Sequence, residues 1–369
     1  MSRKLLKSLV LVTMLLGLPL LGVFLSGQPL SPYFEFPPQT MHVIHASFSW
    51  WAFAGYTLLI GIFIWPFLAC IAKPGSPVFS TGRRRPFPWW GWFAVALGAA
   101  AWILAWTRFS WFRLFQAHTF TPLWLAYILT MNALCVRRTG RCVLLDRPFR
   151  FFLLFPLSAV FWWFFEYLNR FAQNWQYSGV QFGPGEYILY ATLSFSTVLP
   201  AVMSTRESIL SFPFIQSRCR DFLPVRLPHP SWWGAFILCA AAAGLTGLGV
   251  WPDYLFALLW ISPLLILVGL QAAMKEENIF SPLARGDWAG VLSWALAALI
   301  CGFFWEMWND YSLAKWTYHV PFVQRFEVFE MPILGYGGYL PFGLECAVVS
   351  ELVLKQKDHQ GSVPPGGVR

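Results

Sequence analysis

The sequence predicts an all-α polytopic membrane protein, and three observations lead to that fold class. Hydrophobic residues make up 57% of the 369 residues, whereas charged residues make up only 12%. Apolar runs of about 20 residues, the length a helix needs to cross a bilayer, recur along the whole chain. The sequence lacks the short alternating strands of a membrane barrel, and backbone groups in hydrocarbon must bond within their own segment, so the spans are expected to be helices.

The apolar runs define ten predicted spans. The first begins with Arg3, Lys4 and Lys7 and is either a retained signal anchor or a cleaved signal peptide. Its apolar run is long and no A-x-A site follows it, which favours the anchor. The approximate bounds of the ten spans are 4–25, 46–72, 89–107, 120–136, 151–168, 186–203, 232–250, 253–274, 288–308 and 331–354.

Lysine and arginine fall mainly in alternate loops, which predicts the orientation. The runs Arg83–Arg85 and Lys355–Lys357 and the basic residues of 137–150 and 206–226 all lie on one side of the predicted spans. By the positive-inside rule both termini are cytoplasmic, and we expect a bacterial inner membrane. The net charge of +9 is then a topology signal, and no nucleic-acid partner is expected because the basic residues are scattered over short loops. The seven cysteines show neither a disulfide framework nor metal spacing.

The chain repeats itself after about 140 residues, which predicts the domain organisation. Trp89-Trp90-Gly91 opens the first copy and Trp232-Trp233-Gly234 opens the second, each followed by the same order of apolar segments. We expect an N-terminal two-helix unit over 1–87, four-helix repeats over 88–230 and 231–357, and a disordered cytoplasmic tail over 358–369. Each repeat has an even number of spans, so the repeats are predicted to be parallel rather than inverted.

Each copy ends in the same polar series: a Glu-x-x-Asn, a Trp-x-Tyr and a second glutamate. Core packing alone does not require this order of residues. A glutamate and an asparagine three residues apart lie on the same face of a helix. The two series are predicted to lie on one side of the membrane and to face a polar cavity, although polar and aromatic residues at helix ends also serve the interface alone. The series are Glu166, Asn169, Trp175, Tyr177 and Glu186 in the first copy and Glu306, Asn309, Trp316, Tyr318 and Glu330 in the second.

The second copy carries additional polar groups, so we expect it to be the chemical site and the first copy to be partly structural. Asp310, Tyr336 and Glu345 are found only there, with the flexible run Gly335–Tyr339. Buried carboxylates without a cation stay protonated and can donate a proton. The predicted catalytic residues are Glu306, Glu330, Glu345, Glu166 and Glu186, and the predicted substrate-binding residues are Asn169, Trp175, Tyr177, Asn309, Asp310, Trp316, Tyr318 and Tyr336.

Four histidines offer a weaker alternative, a metal site. His42, His45, His118 and His319 all fall on the side of the two series, where imidazole and carboxylate would suit zinc or iron. Their spacing is not diagnostic of a metal site. The sequence names no cofactor.

The run Trp308-Asn309-Asp310-Tyr311, then Trp316-Thr-Tyr318, then Phe329-Glu330-Met-Pro332 resembles the lycopene cyclase domain family, small membrane-embedded carotenoid cyclases that also occur as paired halves. The resemblance covers about 40 residues of each repeat and lacks the family's tandem acidic pair. It implies roles for Trp316, Tyr318 and Glu330, and by repeat equivalence for Trp175, Tyr177 and Glu186. The implied chemistry is protonation of a polyene, with aromatic faces stabilising the cation and a base removing a proton.

Three functions fit the sequence. The first is an intramembrane cyclase or isomerase acting on a lipid or isoprenoid that enters from the bilayer. The second is a transporter or channel for a small solute or cation, which would need polar residues through the inner halves of the spans, where they are few. The third is a non-catalytic scaffold subunit. The expected partners are membrane lipids and a hydrophobic small molecule.

Overall fold

The computed structural model describes residues 3–36, 43–73 and 85–354, so His42 and the tail 358–369 lie outside the described residues. The described part is mostly helical, with two short strand pairs. Its α-helices are α1 Arg3–Leu25, α2 Trp50–Ala72, α3 Trp89–Trp106, α4 Phe120–Thr139, α5 Val143–Asp146, α6 Pro148–Ala172, α7 Pro184–Phe195, α8 Val198–Leu210, α9 Pro213–Cys219, α10 Pro230–Leu248, α11 Pro252–Leu255, α12 Ser262–Ala273, α13 Ala289–Asp310 and α14 Tyr339–Leu354.

The described helices make this an integral membrane protein of the all-α class. Nine of them, taken with adjoining turns, are long and apolar enough to cross a bilayer, and the number reaches ten if one bent pair is counted as a span. That pair is the predicted eighth span, which bends by 59° between Pro252–Trp260 and Ser262–Ala273. The sequence predicts one span over 253–274, and the structure divides it at this bend. Pro263 starts the second half of the pair and has no backbone N–H to continue the first half.

Most of the long helices pack in pairs. α10 packs on α12, α3 packs on α4, and α13 lies between α8 and α14. α1 packs on α10 so closely that a side chain on Gly22 would collide with the Thr246 carbonyl. α2 is the least buried of the candidate spans and contacts mainly α9 and the 3₁₀ turn Ile333–Gly338.

The strands join the two predicted repeats at one end of the bundle. β1, Trp175–Ser178, pairs antiparallel with β2, Lys315–Tyr318. Because Trp175 faces Tyr318 and Tyr177 faces Trp316, a local two-fold axis passes between Gln176 and Thr317. A second pair, β3 Glu327–Val328 and β4 Met331–Pro332, forms a small hairpin nearby. We call this end of the bundle the strand end and the opposite end, which carries Arg137, Arg150 and Arg218, the basic end.

α2 is held at both ends of the bundle. At the basic end Cys70 forms a disulfide with Cys219, and the Arg218 guanidinium donates to the Ile71 carbonyl at 2.6 Å. At the strand end the Ser49 N–H donates to the Phe322 carbonyl at 2.9 Å. The sequence prediction that the cysteines do not pair is therefore wrong for this pair, because partners 149 residues apart leave no spacing signal.

Candidate functional site

The two asparagines of the repeated series clamp the start of the two strands in the same way. Asn169 donates through Nδ2 to the Trp175 carbonyl at 2.8 Å and accepts at Oδ1 from the Asn174 N–H at 2.8 Å. Asn309 donates through Nδ2 to the Trp316 carbonyl at 2.7 Å and accepts from the Trp316 N–H at 2.9 Å. Each helix thus fixes the strand that follows it, since buried backbone groups need partners.

The glutamate of the first copy sits in a cage of donors. Oε1 of Glu166 accepts from the Tyr177 hydroxyl at 2.6 Å, from the Trp175 indole N–H at 3.1 Å and from the Trp162 indole N–H at 3.1 Å. Trp162 is one helical turn before Glu166 on α6, so the two side chains share a face. Three donors on one oxygen stabilise a carboxylate in a buried place.

The glutamate of the second copy has a different set of partners. Oε1 of Glu306 accepts from the Tyr318 hydroxyl at 2.8 Å and from the Tyr339 hydroxyl at 2.6 Å. Trp316 does not reach the carboxylate but donates to the Tyr318 hydroxyl at 2.8 Å. The other oxygen, Oε2, is buried and has no hydrogen-bond partner among the described residues. A carboxyl oxygen with no donor favours the protonated acid.

A glycine makes room for Tyr339. Gly302 lies four residues before Glu306, the position that Trp162 holds relative to Glu166. A Cβ on Gly302 would overlap the Tyr339 ring, so the missing side chain provides the space that this ring occupies. The donor from the same helix in the first copy is therefore replaced, in the second, by a donor from α14.

The two strand tyrosines are held in their neutral form. Burial raises the pKa of Tyr318 well above its usual value, and the Glu306 carboxyl group would raise it further whenever it is ionised. Burial and Glu166 do the same to the pKa of Tyr177. Both hydroxyls therefore remain protonated and act as donors near neutral pH.

These two clusters border one large cavity. Its volume is about 650 Å³, within the range of ligand pockets. One wall is a stripe along α2, and the rings of Trp162, Trp175 and Tyr177 from the first copy line the cavity together with rings of the second copy. The α2 stripe is Tyr56, Ile60, Phe63 and Phe67, and the second-copy rings are Trp305, Trp316, Tyr318 and Tyr339. The lining is mostly apolar and aromatic, and Glu166 and Glu306 stand behind these rings rather than on the surface of the cavity.

Three other predicted carboxylates lie apart from the two clusters. Glu186 is exposed and caps α7 by accepting from the Gly183 N–H at 3.1 Å. Glu330 forms an ion pair with Lys315. Glu345 is buried on α14 and accepts from the Leu264 N–H at 3.1 Å, which caps α12 at the bend of the eighth span.

Four predicted substrate-binding residues lie off the cavity lining: the two asparagines of the clamps, Asp310 and Tyr336. Asp310 ends α13, where the Lys315 ammonium lies 3.4 Å from its backbone carbonyl. Tyr336 lies in the turn Ile333–Gly338 and donates to the Val328 carbonyl at 3.1 Å. Tyr336 borders the Glu306 cluster, because its ring centroid lies 6.0 Å from that of Tyr339.

The histidines do not converge. His45 bonds Asp253 at 2.6 Å and the Gln173 carbonyl at 3.2 Å, whereas His319 bonds Gln176 at 3.1 Å. His118 packs on Tyr190 with ring centroids 4.2 Å apart. Within the described ranges no three His, Cys, Asp or Glu side chains group in a way that would hold a metal ion.

Sequence reasoning missed several residues of the site. Trp162 had a usable signal, because it precedes Glu166 by one helical turn. For Tyr339 and Lys315 the sequence carries no signal except that both lie close to the second polar series. Their roles depend on contacts between α13, α14 and the strands. The wall formed by α2 was also missed, since hydropathy does not tell a lipid-facing stripe from a cavity-facing one.

The fold and the site define a helical integral membrane protein with an aromatic, largely apolar cavity backed by two buried carboxyl groups. Comparisons of the chain with protein-family models, with curated proteins and with solved structures find no match. The function is therefore argued from the geometry of the site.

Proposed function

We propose that this protein is an intramembrane enzyme, a cyclase or isomerase that performs acid/base chemistry on a lipid or isoprenoid. The observation that carries the proposal is the apolar cavity of about 650 Å³ with a buried, incompletely bonded carboxyl group, Glu306, behind its aromatic wall. An elongated apolar molecule fits such a lining, and an aromatic wall suits a developing positive charge.

The second-copy cluster supplies the groups for this chemistry. For proton transfer one of the cluster's hydrogen bonds reverses: Glu306, protonated at Oε1, donates to the hydroxyl of Tyr318 or Tyr339, which turns its own proton toward a carbon–carbon double bond and receives the proton of Glu306. The carbocation is stabilised by the adjacent ring faces. Loss of a proton from a neighbouring carbon back to the same group restores Glu306, so no oxidant, reductant or further reactant is required.

The substrate is proposed to enter sideways from the bilayer beneath α2. This helix is tied at its two ends and is otherwise the least buried candidate span, with its Tyr56 to Phe67 stripe against the cavity. Its opposite face, with Leu58 67% and Trp65 68% exposed, suits lipid contact. The resemblance to the lycopene cyclase domain family points to the same class of substrate and is kept as part of the proposal.

A non-catalytic lipid-binding scaffold is the second candidate. It is favoured by the position of Glu166 and Glu306 behind the rings, where both also serve as hydrogen-bond anchors for the strands. A pathway for ions is less favoured, because the described cavity lining contains a single charged side chain, Lys315.

We further propose that the halves are parallel repeats and that the basic end is cytoplasmic. The local two-fold between β1 and β2 and the matching asparagine clamps support the repeat. The disulfide between Cys70 and Cys219 at the basic end argues against this orientation, because a disulfide in a reducing compartment does not persist, and these two cysteines therefore test it. Free thiols are trapped in intact cells with a membrane-permeant maleimide. Labelling of both cysteines would show that the basic end is cytoplasmic. Complete protection of both would support the opposite orientation.

The experiment that tests the enzyme proposal is mass spectrometry of the lipid and pigment extract that co-purifies with the protein. Wild type is compared with Glu306→Gln, with thermal unfolding in detergent as the control for folding. A lipid or isoprenoid that changes between the two extracts supports the enzyme. Identical lipids in both, from a variant that folds normally, would favour the scaffold.

A further inference from the structure

The two ends of the cavity differ in polarity. At the strand end the lining includes Lys315 and the residue paired with it across the strands, Ser178. Toward the basic end it consists of Phe67, Leu283 and Trp288. The stripe on α2 from Tyr56 to Phe67 alone spans roughly 16 Å at the rise of an α-helix. A cavity that is long, apolar and polar at one end suits an amphiphile in one orientation.

Lys315 is the charged group that reaches the polar end of the cavity. It is the only charged side chain among the described residues that line the cavity, and Glu330, its ion-pair partner, is not part of that lining. An ammonium has three donors, of which one is used by Glu330 and a second approaches the Asp310 carbonyl at 3.4 Å. The third donor is available to a ligand oxygen, and an anionic oxygen accepts most strongly.

We infer that the cavity takes an amphiphile whose anionic head group, a phosphate or carboxylate, accepts from Lys315, with its apolar tail directed toward the basic end. This inference rests on the proposed function only in taking the cavity as a lipid site. A lipid is favoured over a free anion because the aromatic and aliphatic lining offers most of its surface to a tail.

A second polar group borders the same end. Asn174 lines the cavity, is only 3% exposed, and its side-chain oxygen has no partner among the described residues. It stands at the opposite end of β1 from Ser178, next to His319. It therefore accepts from a hydroxyl or a protonated oxygen of the head group rather than sharing the anion with Lys315.

The test is a binding titration by native mass spectrometry from an uncharged glycoside detergent. Hexadecyl phosphate, palmitate, hexadecanol and inorganic phosphate are titrated separately into the full chain. We expect the phosphate and the acid to bind about tenfold more tightly than the alcohol, and inorganic phosphate alone not to bind. In Lys315→Met/Glu330→Gln, which removes both members of the ion pair, this preference disappears while hexadecanol binds as before.

Two further variants complete the test. Glu330→Gln frees a donor of Lys315 and should tighten hexadecyl phosphate about threefold or more. Lys73→Met, the same change at the basic end, should leave the preference intact. Equal binding of alcohol and phosphate to wild type, or a preference that survives in the double variant, overturns the inference. Failure of every amphiphile to bind would instead remove the cavity as a lipid site and with it the proposed function.

Discussion

The Glu166 and Glu306 clusters are built from the same series of residues but are completed differently. In the first copy three donors converge on one carboxylate oxygen, and two of them are indoles. In the second copy two tyrosine hydroxyls meet the carboxyl group and its other oxygen is left without a partner. Under the proposed function, the first cluster is a structural joint and the second retains an acid able to exchange a proton.

The equivalent positions hold Trp162 in the first copy and Gly302 in the second, and this difference explains how one motif yields two differently bonded clusters. A tryptophan one turn before the glutamate closes the first cluster from within its own helix. A glycine at the corresponding place leaves room for Tyr339, so the second cluster is closed by another helix. The hydrogen bond that completes the second cluster therefore depends on how α13 and α14 pack.

The largest expected effect is on turnover in Glu306→Gln. Loss of the acid should reduce product formation by about a hundredfold or more, because general acid–base groups contribute at least that much. Glu166→Gln, the matched change, should keep most of the activity. The ratio of product to substrate in the co-purified lipid measures both. Equal losses in the two variants would contradict the division of roles.

Removal of either asparagine clamp should lower the stability of the protein by a similar amount. Asn169→Ala and Asn309→Ala each remove two or more hydrogen bonds to buried backbone groups, and we expect each to lower the free energy of unfolding by about 2–3 kcal/mol. Urea or thermal unfolding in detergent, read by circular dichroism, measures the loss. A large loss in one variant and none in the other would mean that the clamps are not equivalent.

Gly302→Ala tests the packing of the second cluster alone. The added methyl group overlaps the Tyr339 ring, and overpacking of this kind costs about 1–3 kcal/mol, partly offset by the higher helix propensity of alanine. We expect a net loss of about 1–2 kcal/mol and a fall in turnover. Gly290→Ala on the same helix, where nothing lies within 4 Å of the added atom, is the control. A stable and fully active Gly302→Ala would show that Tyr339 is dispensable.

The smallest expected effect is a decrease in stability at high pH, to which both clusters should contribute. Tyr177 and Tyr318 have folded-state pKa values above the unfolded value of 10.0, so their contribution to stability is complete below pH 10 and is lost as pH rises above it. Stability should be insensitive to these groups from pH 7 to 9 and decline above pH 10. The decline should be shallower in Tyr177→Phe and in Tyr318→Phe. An unchanged decline in either variant would show that its hydroxyl does not titrate as proposed.

The sequence predicts the helices well, because bilayer thickness imposes a length on each apolar run. It does not predict the bend of the eighth span, since hydropathy is the same for straight and bent helices and Pro263 alone does not set an angle. The glutamate, asparagine and Trp-x-Tyr residues were found through their repetition. The different partners of the two glutamates depend on contacts across the bundle, such as Tyr339 with Glu306, and so does the pairing of Cys70 with Cys219.

The pairing of β1 with β2 also has a consequence for the order of assembly during synthesis. β1 leaves the ribosome about 140 residues before its partner, a delay of roughly 7–28 s at ordinary rates of translation. Throughout that interval the edge of β1 at Gln176 has no partner strand, and unpaired strand edges favour association with other chains. The nascent first half therefore needs either shielding by the insertion machinery or rapid completion of the second half, and slowed translation between the halves should lower the yield of folded protein.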